Sequence, residues 1–141
     1  MSFYGNENAD ITGIGEYKTI SGPVMLYQML ENIWSAETCA PRMREKWTKD
    51  NKTMGQCSVT AFLAQDIFGG EVYGIVRPDG NYHCYNYVRG KIFDLTSEQF
   101  GDEKLIYDLK NKQERSVHFQ KKEKEERYNL LKRKLDACIK Q

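Results

Sequence analysis

No run of apolar residues approaches the roughly 20 that a helix needs to cross a membrane, so nothing in the sequence reads as a transmembrane segment. The first residues, Met1-Ser2-Phe3-Tyr4-Gly5-Asn6-Glu7-Asn8, lack the basic stretch and apolar core of a secretory signal. Ser2 stands where N-myristoylation requires glycine. A cytoplasmic protein with no membrane partner is therefore expected. Cysteine is sparse and dispersed. Cys39, Cys57, Cys84 and Cys138 do not resemble a disulfide framework, and no two are spaced C-x2-C, which removes the usual support for structural zinc. Four free thiols in a reducing compartment are expected, and the question is which one is reactive. Histidine is sparser still, with only His83 and His118. Internal repeats and low-complexity linkers are lacking, so the 141 residues suit a single domain whose core needs no staples.

Charge is nearly balanced, at +1, but unevenly placed. Residues 110–141 hold eleven Lys/Arg against five Asp/Glu. Such a segment can serve as a solvated helix face or touch an acidic partner or nucleic acid, and the solvated face is the simpler expectation.

Residues 1–20 are polar, contain Gly5, Gly13 and Gly15, and show little periodicity, which predicts a flexible arm, ordered only near Ile11–Ile20, before a domain at 21–141. Ser21-Gly22-Pro23 reads as a helix start. Leu26, Leu30, Ile33 and Trp34 then follow at helical spacing, for about four turns. Trp34 and Met25 are expected in the core. Pro41 breaks the helical pattern, with a short helical piece at Arg42–Trp47. Cys57 to Phe68 is a second helix, with Val59, Phe62, Leu63 and Ile67 on one face and Gly69-Gly70 as its stop. Strands are predicted at Glu71–Val76, Asn81–Val88 and Lys91–Leu95, joined by the Arg77-Pro78-Asp79-Gly80 turn and the tight Arg89-Gly90 hairpin. A C-terminal helix over Lys121–Ile139 carries Tyr128, Leu131, Leu135 and Cys138 as its docking stripe.

Three residues in this layout have the chemistry of a thiol nucleophile, its base and its orienter: Cys57, His83 and Asp94. Cys57 heads a helix, where the dipole and free N–H groups favour thiolate. A two-residue hairpin loop pairs Val88 with Lys91. Tyr85 then falls opposite Asp94 and His83 opposite Thr96, so His83, Tyr85 and Asp94 share one face. His83 and Asp94 become diagonal neighbours about 7 Å apart, near enough for their side chains to meet. A carboxylate beside an imidazole fixes its tautomer and stabilises its charged form. Gln56 is a candidate second oxyanion donor beside the Cys57 N–H, and Tyr85 a candidate wall of the site. Cys84 follows His83 and points to the opposite face, so it is assigned to the core, as are Cys39 and Cys138. His118 lies in a polar stretch with no comparable setting.

The order of a helix-borne cysteine, then histidine and aspartate on successive strands, resembles the papain-like superfamily, above all compact forms such as NlpC-type peptidases, transglutaminase-like proteins and arylamine acyltransferases. More narrowly, the chain resembles the YunG-type family of small, largely uncharacterised bacterial proteins. The resemblance rests on Ile33-Trp34-Ser35 with Glu37-Thr38, Gly55-Gln56-Cys57-Ser58-Val59-Thr60-Ala61, Gln65-Asp66 and Phe68-Gly69-Gly70-Glu71. It continues through His83 with Asn86, Asp94-Leu95-Thr96 with Gln99-Phe100, and Arg127-Tyr128 with Leu131, covering about residues 21–138. It implies an α+β fold in which N-terminal helices and the Cys-bearing helix pack with a small antiparallel sheet and a C-terminal helix. It also implies a Cys57–His83–Asp94 triad, with Gln56, Tyr85 and Asn86 as oxyanion or substrate-binding residues. No metal or organic cofactor is expected. The chain departs from the pattern at Asn81-Tyr82, where a smaller residue would open the site, and in lacking a second lobe. Short loops around the thiol favour a small peptide or exposed amide as substrate.

The leading expectation is a thiol hydrolase or acyltransferase acting on an amide or peptide bond. A catalytically inactive binding module with the same groove, and an adaptor for a partner or nucleic acid using Lys132, Arg133 and Lys134 of the basic helix, are the alternatives.

Overall fold

The computed structural model describes residues 2–8 and 10–140. Met1 and Ala9 of the expected arm, and Gln141 at the end of the expected domain, lie outside the described residues. The architecture is mixed α+β. Helix α1 (Pro23–Leu30) and a 3-10 turn (Pro41–Lys46) precede α2 (Cys57–Phe68). Strands β1 (Glu71–Val76), β2 (Tyr82–Val88) and β3 (Lys91–Phe93) follow. After a 3-10 turn at Ser97–Phe100 come β4 (Asn111–Gln113), the single-turn helix α3 (Arg115–His118) and α4 (Lys122–Ile139). The four strands form one antiparallel sheet in the order β3-β2-β1-β4.

The β2–β3 hairpin follows from two residues. Arg89 and Gly90 both take positive φ, 49° and 81°, which is the primed turn whose twist matches the flanking strands. Val88 pairs with Lys91 and Asn86 with Phe93. The strand ends there, two residues earlier than expected, because Asp94 bridges instead to Tyr4. That leaves the β2 edge from Tyr82 to Tyr85 without a strand partner on the β3 side among the described residues.

Helix α2 is the centre of the molecule rather than a helix with one apolar face. All but Cys57, Gln65 and Asp66 of its residues are buried. Phe62, Leu63 and Ile67 join Leu131 and Leu135 of α4 in the core. Phe68 packs edge-on against Phe93. Trp34 Nε1 donates to Thr60 Oγ1 at 3.0 Å, so the core tryptophan also ties the segment after α1 to α2. Asn86 Nδ2 donates to the Ala61 carbonyl at 2.9 Å, stitching β2 to the same helix. At roughly 1.5–3 kcal/mol for each large apolar side chain removed from water, this cluster dominates the stability of the domain.

Several expectations change. Phe3, from the part read as a flexible arm, is buried in the core together with Ile11, Tyr17 and Ile20 of the part expected to be ordered. Their spacing is irregular because, apart from Tyr17 at the end of a single 3-10 turn (Gly15–Tyr17), they lie outside the helices and strands that would impose a period. Helix α1 ends at Leu30, about two turns long, and Ile33 and Trp34 reach the core from the turns that follow. Cys138 is exposed, so the docking stripe of α4 continues from Leu135 to half-buried Ile139 instead, and the inner face also includes buried Arg127. Strand β4 is an unanticipated edge strand of polar residues. Among the described residues, no helix is long and apolar enough to cross a membrane.

Candidate active site

The site begins at the N-terminus of α2. Gly55 has φ +70°, and a Cβ there would lie 2.5 Å from Cys39 Sγ and 3.0 Å from the Ala40 nitrogen. Only glycine combines that backbone with that space. The turn it makes starts the helix at Cys57 with no side-chain cap. The first N–H groups of α2 therefore lack both an intrahelical acceptor and a capping oxygen. Cys57 and Ser58 line a cavity of about 770 Å³, which is also bordered by Tyr82, His83, Gln99, Phe100, His118 and Lys124.

His83 and Asp94 are both buried, and His83 Nε2 lies 2.6 Å from Asp94 Oδ2. Asp94 also accepts from the Tyr107 hydroxyl at 2.8 Å, and from the Thr96 N–H and hydroxyl at 3.2 and 3.4 Å. A carboxyl group at 1 % exposure needs such donors to satisfy its buried oxygens. With Nε2–H donating to Asp94, the lone pair of neutral His83 is at Nδ1, which has no hydrogen-bond partner among the described residues. The ring is further held by the edge-on contact with Phe100, at 4.7 Å between centroids.

Cys57 does not sit over either face of the sheet. Its sulfur lies against the uncovered edge of β2, 3.8 Å from the Tyr82 carbonyl oxygen. From there it meets neighbours of both parities, Cys84 and His83. Contact with the Cys84 thiol, followed by the charge of His83, holds the Cys57 thiol well below its ordinary value despite its partial burial. Cys84 is pushed the other way, by its contact with Cys57 and by burial, and stays a thiol. Burial opposes charge on His83, but Asp94 and the Cys57 sulfur outweigh it and raise the imidazole to about 10. A thiolate beside an imidazolium is the state these shifts favour.

The structure thus brings Cys57, His83 and Asp94 together. It does not bring the other three expected site residues to the cavity. Gln56 is fully buried and its Nε2 donates to the Ser35 carbonyl at 3.0 Å, so its amide is spent anchoring the turn. Asn86 is committed to the Ala61 carbonyl. Tyr85 lies beneath the site, with its hydroxyl accepting from the Leu109 N–H and its ring edge-on to Tyr107. It supports the residue that holds Asp94 and is not a wall. Cys84 is in the core as expected, yet it reaches Cys57. Parity arguments missed this because they place a nucleophile over a face. Tyr107, His118 and Lys124 were missed because chain folding, and no local pattern, brings them here. Tyr107 sits in irregular chain, and His118 and Lys124 arrive only when α4 docks.

No solved structure matches the chain. A family model described as "YunG protein" matches residues 23–140. The chain is also similar to "Uncharacterized protein YunG" of Bacillus subtilis (strain 168), with 40% identity over 72 residues. That match covers 51% of this chain and spans 57% of the relative's length. It is the long family match, across most of the chain, that decides the matter: the chain belongs to the YunG family.

Proposed function

We propose that this protein is a thiol-dependent hydrolase or acyltransferase acting on an amide or peptide bond, in a compact papain-like domain. The observation that carries the reading is the buried His83–Asp94 pair at 2.6 Å, with the free Nδ1 of the same ring beside Cys57. Cys57 is the nucleophile, His83 the base and acid, and Asp94 the orienter. The Cys57 thiolate attacks the carbonyl carbon, and the oxyanion that forms meets the uncapped N–H groups at the start of α2. The His83 imidazolium then gives its proton to the departing amine nitrogen as the C–N bond breaks, which leaves a thioester on Cys57. Neutral His83 takes a proton from water or an acceptor amine, whose attack on the thioester releases the acyl group and restores the thiolate–imidazolium pair. The alternatives of an inactive binding module or a nucleic-acid adaptor gain no comparable support. Tyr82 borders the cavity without closing it, and fully buried Tyr85 is not among the residues that line it.

The test is competitive labelling with substoichiometric iodoacetamide at neutral pH, followed by peptide mapping. Cys57 is expected to be modified well ahead of Cys39, Cys84 and Cys138, and the preference to vanish in His83→Ala. Labelling led by exposed Cys138 would count decisively against the proposal.

A further inference from the structure

Five cationic side chains border the cavity, but three are already engaged. Arg42 pairs with Asp79 at 3.3 Å and Arg77 with Glu103 at 2.9 Å. Arg127 is held by Glu123 at 2.8 Å and by the Thr38 carbonyl at 3.1 Å. Lys121 and Lys124 have no carboxylate within 4.0 Å among the described residues. Lys121 is exposed to solvent, whereas Lys124 is half-buried. Lys124 also lies in the first turn of α4, where the helix dipole disfavours a cation.

A chain of hydrogen bonds holds Lys124 in this unfavourable place. Gln113 Nε2 donates to the Asn111 carbonyl at 3.0 Å, which turns its Oε1 toward His118 Nε2 at 2.8 Å. His118 Nε2 must then carry the ring proton, and its Nδ1 accepts from Lys124 Nζ at 2.9 Å. Burial, followed by the charge of Lys124, holds His118 down at about 4, so the ring is neutral and acts only as an acceptor. An ammonium has three N–H bonds, and this arrangement uses one. Two remain for a ligand, in the cavity that Cys57 lines.

We infer that Lys124, presented by Gln113 and His118, is a subsite for a carboxylate group of the substrate, so that the amide attacked by Cys57 belongs to a small carboxylate-bearing molecule. This rests on the function proposed above. A bound carboxylate supplies the counter-charge that Lys124 lacks, and it offsets the dipole at the start of α4. Lys124 is a specificity residue for substrate, and His118 and Gln113 are positioning residues that act through it.

The test uses two alkylating probes that deliver the same carbon to Cys57, anionic iodoacetate and neutral iodoacetamide. The readout is the ratio of their second-order rates at Cys57. Lys124→Met is expected to lower the iodoacetate-to-iodoacetamide ratio by roughly tenfold, the low end for loss of a hydrogen bond to a charged group, the neutral probe correcting for any change in the reactivity of the thiol itself. Lys124→Arg should keep most of the ratio, and His118→Leu should lower it in part. A ratio unchanged in Lys124→Met, with Cys57 still selectively labelled, overturns the subsite and leaves the thiol chemistry standing. Failure of either probe to prefer Cys57 in the unaltered protein overturns the proposed function itself, and the subsite with it.

Discussion

The Cys57 sulfur lies 3.8 Å from the Tyr82 carbonyl oxygen, on the stretch of β2 that β3 leaves uncovered. This edge position puts the sulfur next to His83 and Cys84 at once, although the two alternate along the strand. The short β3 is therefore part of the site's design. Had the ladder continued past Phe93, a strand would occupy the place of the thiol.

The charge state of the pair sets a pH dependence. His83 is raised from 6.5 to about 10 and Cys57 is lowered well below 9.0. The imidazolium therefore persists until pH climbs toward about 10, and the thiolate persists as pH falls below 9.0. The rate of Cys57 alkylation should change little as pH approaches 9.0, where an ordinary thiol climbs steeply. Asp94→Asn removes the charge that supports the imidazolium, so the rate at neutral pH should fall and the climb should return. Stability carries the same signature. The imidazolium contribution is fully present below 6.5 and is lost as pH rises through about 10, so the stability gap between the unaltered protein and Asp94→Asn should narrow across that window. Urea midpoints at the two ends check it.

Tyr107→Phe removes one of the donors on the buried Asp94 carboxylate and leaves His83 and Thr96 in place. A hydrogen bond to a buried charge contributes about 1.5–3 kcal/mol, so a loss of this order in unfolding free energy is expected, with Cys57 still the preferred site of alkylation. A variant that unfolds at the unaltered urea midpoint would show that the phenol does not support the carboxylate.

Much of this arrangement was legible in the sequence, and the reasons are local. Helix α2 begins at Cys57, just after the Gly55 turn, and stops at Gly69, whose positive φ is the usual mark of glycine at the end of a helix. The Arg89-Gly90 turn sets the hairpin register, and through it the shared face of His83 and Asp94. What was not legible depends on chain segments meeting across space. Phe3 is buried without periodicity, and Asn111-Lys112-Gln113 pairs with β1 through backbone and the solvent-exposed Lys112–Glu71 ion pair, with no apolar alternation to announce a strand. Gln56, Asn86 and Tyr85 are polar residues beside the site in sequence, and each bonds a backbone group away from the cavity. Sequence adjacency cannot distinguish a side chain that faces substrate from one that braces the fold.

Asn86 gives a direct test of that distinction. Its amide donates to the Ala61 carbonyl and its side chain is 1% exposed. Asn86→Ala removes the bond and opens a small void between β2 and α2. A loss of about 1–3 kcal/mol in unfolding free energy is expected, with the alkylation rate of Cys57 changed little. Thermal or urea denaturation measures the first and labelling kinetics the second. Substrate-dependent protection lost only in this variant would restore Asn86 to the site.

Gly55→Ala tests the turn that delivers Cys57. The new methyl would meet Cys39 Sγ at 2.5 Å and the Ala40 nitrogen at 3.0 Å, on a residue with φ +70°. The left-handed backbone alone costs a non-glycine residue about 1–2 kcal/mol, and relieving the clash must move either Cys39, which is fully buried, or the start of α2. If the helix start moves, the sulfur leaves the Tyr82 edge and His83 Nδ1 loses its neighbour. The variant should therefore lose both stability and the selective reactivity of Cys57. Gly90→Ala is the control, because a Cβ there meets nothing within 4 Å. It shares the positive φ but lies at the far end of the hairpin, so it should cost stability while leaving Cys57 reactive. Equal losses of reactivity in the two variants would mean that general loosening, and not the placement of the helix start, governs the thiol.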